Sequence, residues 1–400
     1  MVASGSLRPV LSTVICFVMA VLAWGTVFYG HSVYMDALMR EHGWSASLVS
    51  SAVLVFWIAS LPGTLFVGML VDRKGPVPVV AIGGLCIGGG LYLLGQITEH
   101  WQMYVIYAAM GFGYPALAAA AISATLTPWF DRGFGVALGI ALTGASVGGA
   151  IVPPLMVQHS AVHGFDVTMT LAGTVVLAIV FAAVFLLYLV GRPNSPDRHV
   201  ADAVPYSMLA IIGHWRFWAI AIPAALGLGG QVGLLAHQVP IIAMHIDQVS
   251  AAFMVTVVAI SSAFGRLLVG LLSRYLSVTV LAALSYILHG TGIALLAVAD
   301  TEVWILAACA VAGLTVGAIV MLPPLIVRHV YGTDGFGRTY AMVNVVMYVF
   351  AGLSPWMVGV LRDAMGDYSA ALWMLVVLEV LAAGFILGAL RYRSVGNDQS

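Results

Sequence analysis

The chain alternates between long apolar runs and short polar joints. Cutting it at its charged and turn-forming residues leaves twelve runs, each close to the ~20 apolar residues that a membrane-spanning helix needs. The runs lie at 10–35, 47–71, 76–97, 101–127, 134–157, 167–190, 216–242, 250–273, 278–299, 303–327, 339–361 and 370–390. This pattern predicts an all-α integral membrane protein with twelve transmembrane helices.

One polar joint is much longer than the others. It extends from Gly191 to Arg216, contains the sequence R-P-N-S-P-D-R-H and divides the chain nearly in half. Pro, Gly and polar clusters of this kind mark connections between packed elements. We therefore predict two six-helix bundles, at residues 1–190 and 216–400, joined by a linker at 191–215.

The two halves also repeat a set of residues at one fixed spacing, 202 positions apart. The pairs are Gly63 and Gly265, Gly68 and Gly270, Gly133-Phe134-Gly135 and Gly335-Phe336-Gly337, Pro153 and Pro355, and Gly164 and Gly366. A single offset held across a hundred residues indicates an internal duplication. Two parallel repeats of six helices are an architecture of secondary transporters.

The positive charges predict the orientation of the helices. In the twelve-helix scheme only Arg40 and Arg362 lie on the side opposite to the other loop cations. Cytoplasmic loops are the ones enriched in Lys and Arg. Both termini and the linker are therefore expected in the cytoplasm, with the chain in the cell (inner or plasma) membrane. The first apolar run exceeds the 7–15 residues of a signal peptide, so it is interpreted as a retained helix.

Composition supports the membrane assignment and excludes several classes of protein. Hydrophobic residues make up 62% of the chain and charged residues 8%, against about 25% charged in soluble domains. The net charge of −1 and the lack of a basic run argue against a nucleic-acid partner. Three scattered cysteines predict neither a disulfide framework nor a metal site, and no cofactor motif is present. The sequence leaves the oligomeric state open.

A charged motif follows the second apolar run. It reads Gly68-Met-Leu-Val-Asp72-Arg73-Lys74-Gly75 and resembles the G-x-x-x-D-R-x-G signature of the major facilitator superfamily. The resemblance implies a conformational latch at the cytoplasmic face, to which Gly68, Asp72 and Arg73 contribute. Arg132, in P-W-F-D-R-G, is assigned to the same latch. In the second half Arg274 replaces Asp72, which suggests a remnant of the latch there.

Within that superfamily, further segments are similar to the monocarboxylate-transporter branch and to oxalate-formate antiporters. They are H-G-W-S-A-S at 42–47, G-I-A-L-T-G-A-S-V-G-G at 139–149, G-R-L-L-V-G at 265–270 and F-G-R at 336–338. In animal monocarboxylate transporters a lysine in helix 1 and an Asp-x-x-x-Arg pair in helix 8 carry proton and carboxylate. Here Arg266 keeps the arginine, Ser262 replaces the aspartate, and His31 aligns with the lysine.

Arg266 is the central candidate for substrate binding. An arginine inside an apolar helix costs ~2.5–3.5 kcal/mol on insertion scales, so it indicates a functional site. Its planar guanidinium can hold a carboxylate through two parallel hydrogen bonds. The alternative is that Arg266 binds backbone carbonyls or reaches toward the interface. Oxalate-formate antiporters carry a second buried cation in helix 11, and its absence here favours a monoanion over a dicarboxylate.

Two histidines are candidates for carrying a coupled proton, because imidazole titrates near neutral pH. His31 can share a helix face with Trp24, Phe28 and Tyr34 at i, i+3, i+4 and i+7 spacing. His237 precedes Pro240 in the seventh run. For both, the alternative is a neutral histidine that hydrogen-bonds a neighbouring helix.

Other polar and aromatic residues complete the predicted site. Asn344 and Tyr348 lie one turn apart in the eleventh run and can complement Arg266 by hydrogen bonding, or can join two helices. Tyr29 and Tyr34 belong to an aromatic cavity wall. Glu379 is the only acid inside a predicted span and receives no role.

The resulting hypothesis is a secondary active transporter of a small organic anion, foremost a monocarboxylate, that works by alternating access with proton coupling. An exporter or exchanger of another small organic solute is the nearest alternative. A non-transporting membrane receptor and an intramembrane hydrolase are remoter ones. The hydrolase reading depends on the GxSxG pattern at Gly144–Gly148, which needs a strand-turn-helix that this apolar run does not predict.

Overall fold

The computed structural model describes residues 7–130, 133–191, 211–332 and 336–396, with side chains as far as 388. Across these ranges every regular element is helical. Twelve helices are long and apolar enough to cross a membrane. They are α1 Leu7–His42, α2 Ala46–Lys74, α3 Pro76–Leu94, α4 His100–Trp129, α5 Phe134–His163, α6 Phe165–Val190, α7 Trp215–Ile242, α8 Gln248–Leu272, α9 Val278–Ala297, α10 Glu302–Tyr331, α11 Phe336–Met365 and α12 Ser369–Gly396. The prediction of twelve spanning helices is confirmed.

Several helices extend beyond the predicted apolar runs. α1 continues to His42, and α11 continues to Met365. Polar side chains do not end a helix, whereas glycines in the left-handed region do, and Gly43 (φ 67°) and Gly366 (φ 84°) follow these two helices. As a result Asp36 and Asp363 lie inside helices.

Two of the twelve helices are irregular. α1 contains a π-helical segment at Ala23–Phe28, and α4 contains 3₁₀ turns at Tyr114–Ala116 and Thr127–Trp129. The wide π turn shifts the later residues of α1 around its axis, so the regular i, i+3, i+4, i+7 face expected from Trp24 to Tyr34 does not hold. Local π segments of this kind recur at functional sites.

Contacts between Cα atoms group the chain into two compact units. Unit 1 contains α1, most of α2, α3 to α6, and the first residues of α8 at Gln248–Thr256. Unit 2 contains α7, the remainder of α8, α9 to α12, and the start of α2 at Trp44–Leu54. Each unit thus takes in the first turns of one helix from the other half of the sequence, which the predicted cut at 191–215 does not anticipate.

In unit 1, α2 and α4 cross closely at two glycines. A β-carbon on Gly63 would overlap the carbonyl oxygen of Phe112, and one on Gly111 would overlap the carbonyl oxygen of Phe56. Glycine is therefore required on both helices, because the two backbones touch.

In unit 2, α8 and α10 cross in the same way. A β-carbon on Gly265 would overlap the carbonyl oxygen of Leu314, and one on Gly313 would lie 2.8 Å from the backbone of Val258. All four residues are 202 positions after their counterparts in unit 1. The sequence repeat is therefore also a repeat of helix contacts.

The first turns of α8 belong to unit 1 and those of α2 belong to unit 2. Hydrogen bonds within each unit hold these turns in place. In unit 1 the hydroxyl of Thr256 donates to the carbonyl oxygen of Ala150 on α5 at 2.7 Å. In unit 2 the carboxylate of Asp363 on α11 accepts the backbone N–H groups of Ala46 and Ser47 at 3.1 and 2.8 Å. Asp363 therefore satisfies two of the free N–H groups at the beginning of α2.

Candidate functional site

Arg266 lies in α8, six residues before the helix ends at Leu272, and is half-buried within unit 2. Its aliphatic stem passes over Gly317 of α10, where a β-carbon would clash with the arginine side chain. Its Nε donates to the carbonyl oxygen of Ser262, one turn earlier, at 3.4 Å. The absence of a side chain at Gly317 thus creates the space in which the guanidinium stem lies.

Unit 1 has a hydroxyl at the repeat position of Arg266. Thr64 on α2 lies 202 residues earlier, and its hydroxyl donates to the carbonyl oxygen of Ser60 at 2.8 Å. Hydroxyls bonded back to their own helix add no charge and little polarity to the surface. Of the two helices related by the repeat, α2 and α8, only α8 in unit 2 therefore carries a cation at this position.

His31 is buried inside unit 1, with 2% of its surface exposed. Its ring stacks on Tyr107 at 5.5 Å and meets the edge of Phe56 at 4.8 Å. Within the described part of the chain, neither ring nitrogen has a hydrogen-bond partner. The helix-joining hydrogen bond considered for His31 is therefore not formed among these residues.

The two tyrosines of α1 have different surroundings. Tyr29 is buried, and its ring packs edge-to-face on Phe28 at 5.4 Å. Tyr34 is completely buried, and its hydroxyl donates to the carbonyl oxygen of Thr26 in the π segment. Tyr34 therefore stabilises the π turn by binding a carbonyl eight residues back.

His237 makes the hydrogen bonds expected of a neutral histidine that joins neighbouring helices. Its Nε2 lies 2.8 Å from the carbonyl oxygen of Pro355 on α11, and its Nδ1 lies 3.3 Å from the hydroxyl of Tyr368. A carbonyl only accepts, so Nε2 carries the proton and Nδ1 accepts from the tyrosine. In this neutral form His237 joins α7 to α11 and to the residues before α12.

The predicted helix 11 pair lies on α11 of unit 2. The amide of Asn344 donates to the carbonyl oxygen of Tyr340, one turn earlier, at 3.1 Å. Tyr348 is half-buried on the same helix. This hydrogen bond of Asn344 therefore lies within α11.

The residues assigned to the latch lie at helix ends. Gly68, Asp72 and Arg73 are exposed near the end of α2, and Arg274 is exposed just after α8. No ion pair involves Asp72 or Arg73 among the residues the structure describes. Arg132 lies outside the described residues. The latch thus stays a prediction.

Sequence reasoning missed a buried polar pair in unit 2. His289 on α9 and Glu379 on α12 are both completely buried, with Nδ1 and Oε1 2.7 Å apart. From the sequence alone Glu379 has no assigned role, and His289 is not among the candidates. A histidine inside an apolar run was the available signal, but its partner is 90 residues away in the chain.

The structure also shows the local conformation of the GxSxG pattern. Ser146 lies within α5, which is helical from Phe134 to His163. A nucleophile elbow places its serine on a sharp turn between a strand and a helix. The geometry of a hydrolase is therefore absent at Ser146.

Twelve spanning helices, a repeated pattern of helix crossings and a half-buried arginine define a multi-pass membrane protein of a transporter type. The sequence model of the Major Facilitator Superfamily matches residues 13–355. The chain belongs to this superfamily and is a transporter of that type, which acts on small molecules and is not an enzyme.

Three relatives are distant in sequence but align with most of the chain. Monocarboxylate transporter 11 of Homo sapiens is 27% identical over 90% of this chain and 77% of its own length. Monocarboxylate transporter 13 of Rattus norvegicus is 26% identical over 91% and 87%. The MFS-type transporter YcxA of Bacillus subtilis is 25% identical over 84% of both.

Solved structures support the fold. A bacterial homologue of the human lysosomal transporter Spinster, in an inward-facing and unoccupied conformation, has a TM-score of 0.71 with 13% identity, covering 98% of both chains. The nucleoside transporter NupG has a TM-score of 0.74 with 15% identity, covering 96% of this chain and all of its own. At these identities the likeness concerns the fold alone.

Proposed function

We propose that this transporter moves a small organic monocarboxylate across the cell membrane by alternating access, together with a proton, and that both of its termini are cytoplasmic. The observation that carries the proposal is the half-buried Arg266 within the apolar helix α8, with its stem seated on Gly317. Arginine stays protonated at every physiological pH, so this helix carries a permanent positive charge.

A carboxylate is the ligand that best matches this charge. Two parallel N–H···O bonds from guanidinium to carboxylate are charge-assisted and directional, and they strengthen in surroundings of low dielectric constant. Ser262, one turn before Arg266 on α8, is buried and uncharged. No acid therefore competes for the guanidinium from one turn away on α8.

The proposed cycle follows from the cost of a charge in an apolar environment. A conformation that closes around Arg266 without an anion must bury that charge, whereas a bound carboxylate neutralises it. The substrate therefore binds the closed state more tightly than it binds an open one, and this difference favours closure. The two monocarboxylate transporters among the relatives support the same substrate class.

A different small organic solute is the second candidate, and the aromatic cluster of unit 1 favours it. Phe28, Phe56 and Trp57 pack edge-to-face, with centroid separations of 5.6–6.4 Å, and His31 packs on Phe56. These rings are buried inside unit 1, and apolar and aromatic side chains of this kind line the binding sites of apolar or aromatic solutes. Under this alternative Arg266 would have a structural role.

Reconstituted protein separates the two candidates. Liposomes containing the purified transporter are tested for uptake of labelled monocarboxylates, dicarboxylates and uncharged aromatic solutes. Replacing Arg266→Gln should lower monocarboxylate uptake about ten- to a hundredfold, the equivalent of one lost charge-assisted interaction. Arg328→Gln, at an exposed arginine in the last turn of α10, is the control and should transport normally.

Two results would contradict the proposal. One is the failure of wild-type protein to move any monocarboxylate, and the other is unchanged uptake by the Arg266→Gln variant. Uptake of uncharged solutes that does not depend on Arg266 would support the second candidate. Within unit 1 the sequence candidate for the proton carrier is His31, so His31→Gln is included with and without a pH gradient.

A further inference from the structure

The buried pair His289 and Glu379 occupies the place where α9, α12 and α7 meet in unit 2. The two side chains have no exposed surface, and one hydrogen bond of 2.7 Å joins Nδ1 to Oε1. α7 contributes Gly230, on which a β-carbon would overlap Oε1 of the glutamate. The carboxyl group therefore lies directly against the backbone of α7.

In the part of the chain that the structure describes, each side chain of this pair has one polar atom without a hydrogen-bond partner. Nε2 of His289 and Oε2 of Glu379 have no partner within the described residues. Buried polar atoms are normally satisfied, and exceptions at this depth call for an explanation such as a catalytic or ion-binding role. Each free atom is a position that can hold a proton.

The fold does not require a polar pair at this crossing, because unit 1 builds the same crossing without one. Ile87 on α3 and Leu177 on α6 lie 202 residues before His289 and Glu379. Gly88 packs on Leu177 as Gly290 packs on Glu379. Apolar residues of similar volume can replace a buried ion pair without loss of stability, and this chain contains both versions.

We propose that His289 and Glu379 form a proton-binding site and that this site, rather than His31, carries the proton coupled to transport. The inference rests on the proposed function for its coupling role, whereas proton binding itself does not depend on which solute is carried. Ionisable groups inside membrane helices are typical of proton relays in pumps and transporters.

The proton count defines two states. With one proton, shared between Nδ1 and Oε1, the pair has a net charge of −1, and both Nε2 and Oε2 are bare. A second proton enters at Nε2, giving imidazolium and carboxylate, or at Oε2, giving neutral imidazole and carboxylic acid. Either form has no net charge, and complete burial favours it over the anion. Release of the second proton therefore needs a conformation that admits water to the pair.

Few other titratable side chains lie near the pair among the described residues. Tyr286, one turn earlier on α9, interacts electrostatically with Glu379. On α7 and α10 the buried titratable side chains are His237, bound to Pro355 and Tyr368, and Cys309, which receives the amide of Gln238 at 3.9 Å. Within the described residues no ion pair joins Glu379 to α7, α10 or α11.

The first test measures proton binding without a transported solute. Infrared difference spectra of the purified wild-type protein, recorded between acidic and alkaline pH, should contain the C=O stretching band of a buried carboxylic acid if the second proton is at Oε2, or the ring band of a buried imidazolium if it is at Nε2. Glu379→Gln should remove either band, because it takes away the carboxyl group and leaves a buried imidazolium without its counter-charge. His289→Gln should remove the imidazolium band or shift the pH at which the carboxylic-acid band appears. Spectra that are the same in wild type and Glu379→Gln would overturn the proposal.

The second test measures coupling, with the unit 1 crossing as a template. The double variant His289→Ile with Glu379→Leu copies Ile87 and Leu177, so it should fold. It should retain exchange of labelled monocarboxylate between equal pools but lose accumulation driven by a pH gradient, falling to the level without a gradient. His31→Gln tests the competing proton site and should still accumulate substrate, and Arg328→Gln, at the exposed arginine of α10, is the control.

The outcomes separate the two proposals. Full accumulation by the double variant, or its loss in His31→Gln alone, would overturn the role of the pair and leave monocarboxylate transport intact. If wild type moves no carboxylate, the proposed function fails while the infrared test still decides whether the pair binds a proton. Should the double variant fail to fold, Glu379→Gln replaces it in the accumulation assay, where undiminished accumulation would contradict coupling.

Discussion

The crossing of α3 with α6 in unit 1 and the crossing of α9 with α12 in unit 2 have the same backbone plan and opposite chemistry. Gly88 and Gly290 let the helices approach, but one crossing is filled by Ile87 and Leu177 and the other by His289 and Glu379. The same contrast separates Thr64 from Arg266 on α2 and α8. Glycines fix where the helices touch, which leaves the remaining side chains free to differ between the repeats.

Breaking the polar pair on one side should have the largest effect on stability. His289→Ile leaves Glu379 buried without its partner, which costs roughly 3–5 kcal/mol, whereas the double variant with Glu379→Leu should be neutral or more stable. Thermal unfolding in detergent, followed by tryptophan fluorescence, measures both. Equal losses in the single and double variants would show that the crossing itself needs polar residues.

The second largest loss of stability is expected when a side chain is added to a glycine at which two helices cross. Gly265→Ala places a methyl group on the carbonyl oxygen of Leu314 and should destabilise unit 2 by ~1–3 kcal/mol or more. Gly63→Ala should have a smaller effect in unit 1, because its overlap with Phe112 is shallower. The control is Gly270→Ala, which meets no atom within 4 Å. Monodisperse yield and melting temperature should rank the three, and a control as harmful as Gly265→Ala would refute the contact argument.

The start of α2 offers a third comparison. Asp363→Ala removes the acceptor of two backbone N–H groups, so we expect a loss of about 0.5–2 kcal/mol, as for other helix caps. At the corresponding end of α8 in unit 1, the amide of Gln248 donates to Asp36 at 3.1 Å. Gln248→Ala should cost less, since one side-chain bond is lost and no backbone group is stranded. Hydrogen exchange at residues 46–48 should increase only in Asp363→Ala.

The smallest effect is expected at the π turn of α1. Tyr34→Phe removes the hydroxyl that binds the carbonyl oxygen of Thr26, at a cost of about 0.5–1.5 kcal/mol. Unit 2 has Ala236 at the repeat position, so α7 contains no equivalent contact. Tyr92→Phe, at an exposed tyrosine of α3, is the control. A melting temperature that drops equally in both variants would remove the special role of Tyr34.

Much of the architecture could be predicted from the chain alone. Apolar runs near the length of a bilayer crossing gave twelve helices, because a buried backbone in lipid must satisfy its own hydrogen bonds. The fixed spacing of glycines indicated the repeat, since glycine is needed wherever two helices touch. Helix ends are less predictable, and Asp36 and Asp363 lie in helices that extend past the predicted apolar runs.

The candidate site was predictable only where one residue was unusual by itself. Arg266 attracts attention as a charge in an apolar helix whatever it contacts. Other features of the site depend on which helices are neighbours. These are the packing of the Arg266 stem on Gly317, the hydrogen bonds of His237 to Pro355 and Tyr368, and the lack of partners for the ring nitrogens of His31 among the described residues.

The sequence by itself determined that this protein spans the membrane in twelve helices and is built from two related halves, because hydrophobic length and glycine spacing act locally along each helix. Only the tertiary structure decided that His289 meets Glu379, that α1 widens into a π turn, and that Asp363 caps α2. Those contacts join residues from different helices or turns, and their energies depend on distance and burial after packing.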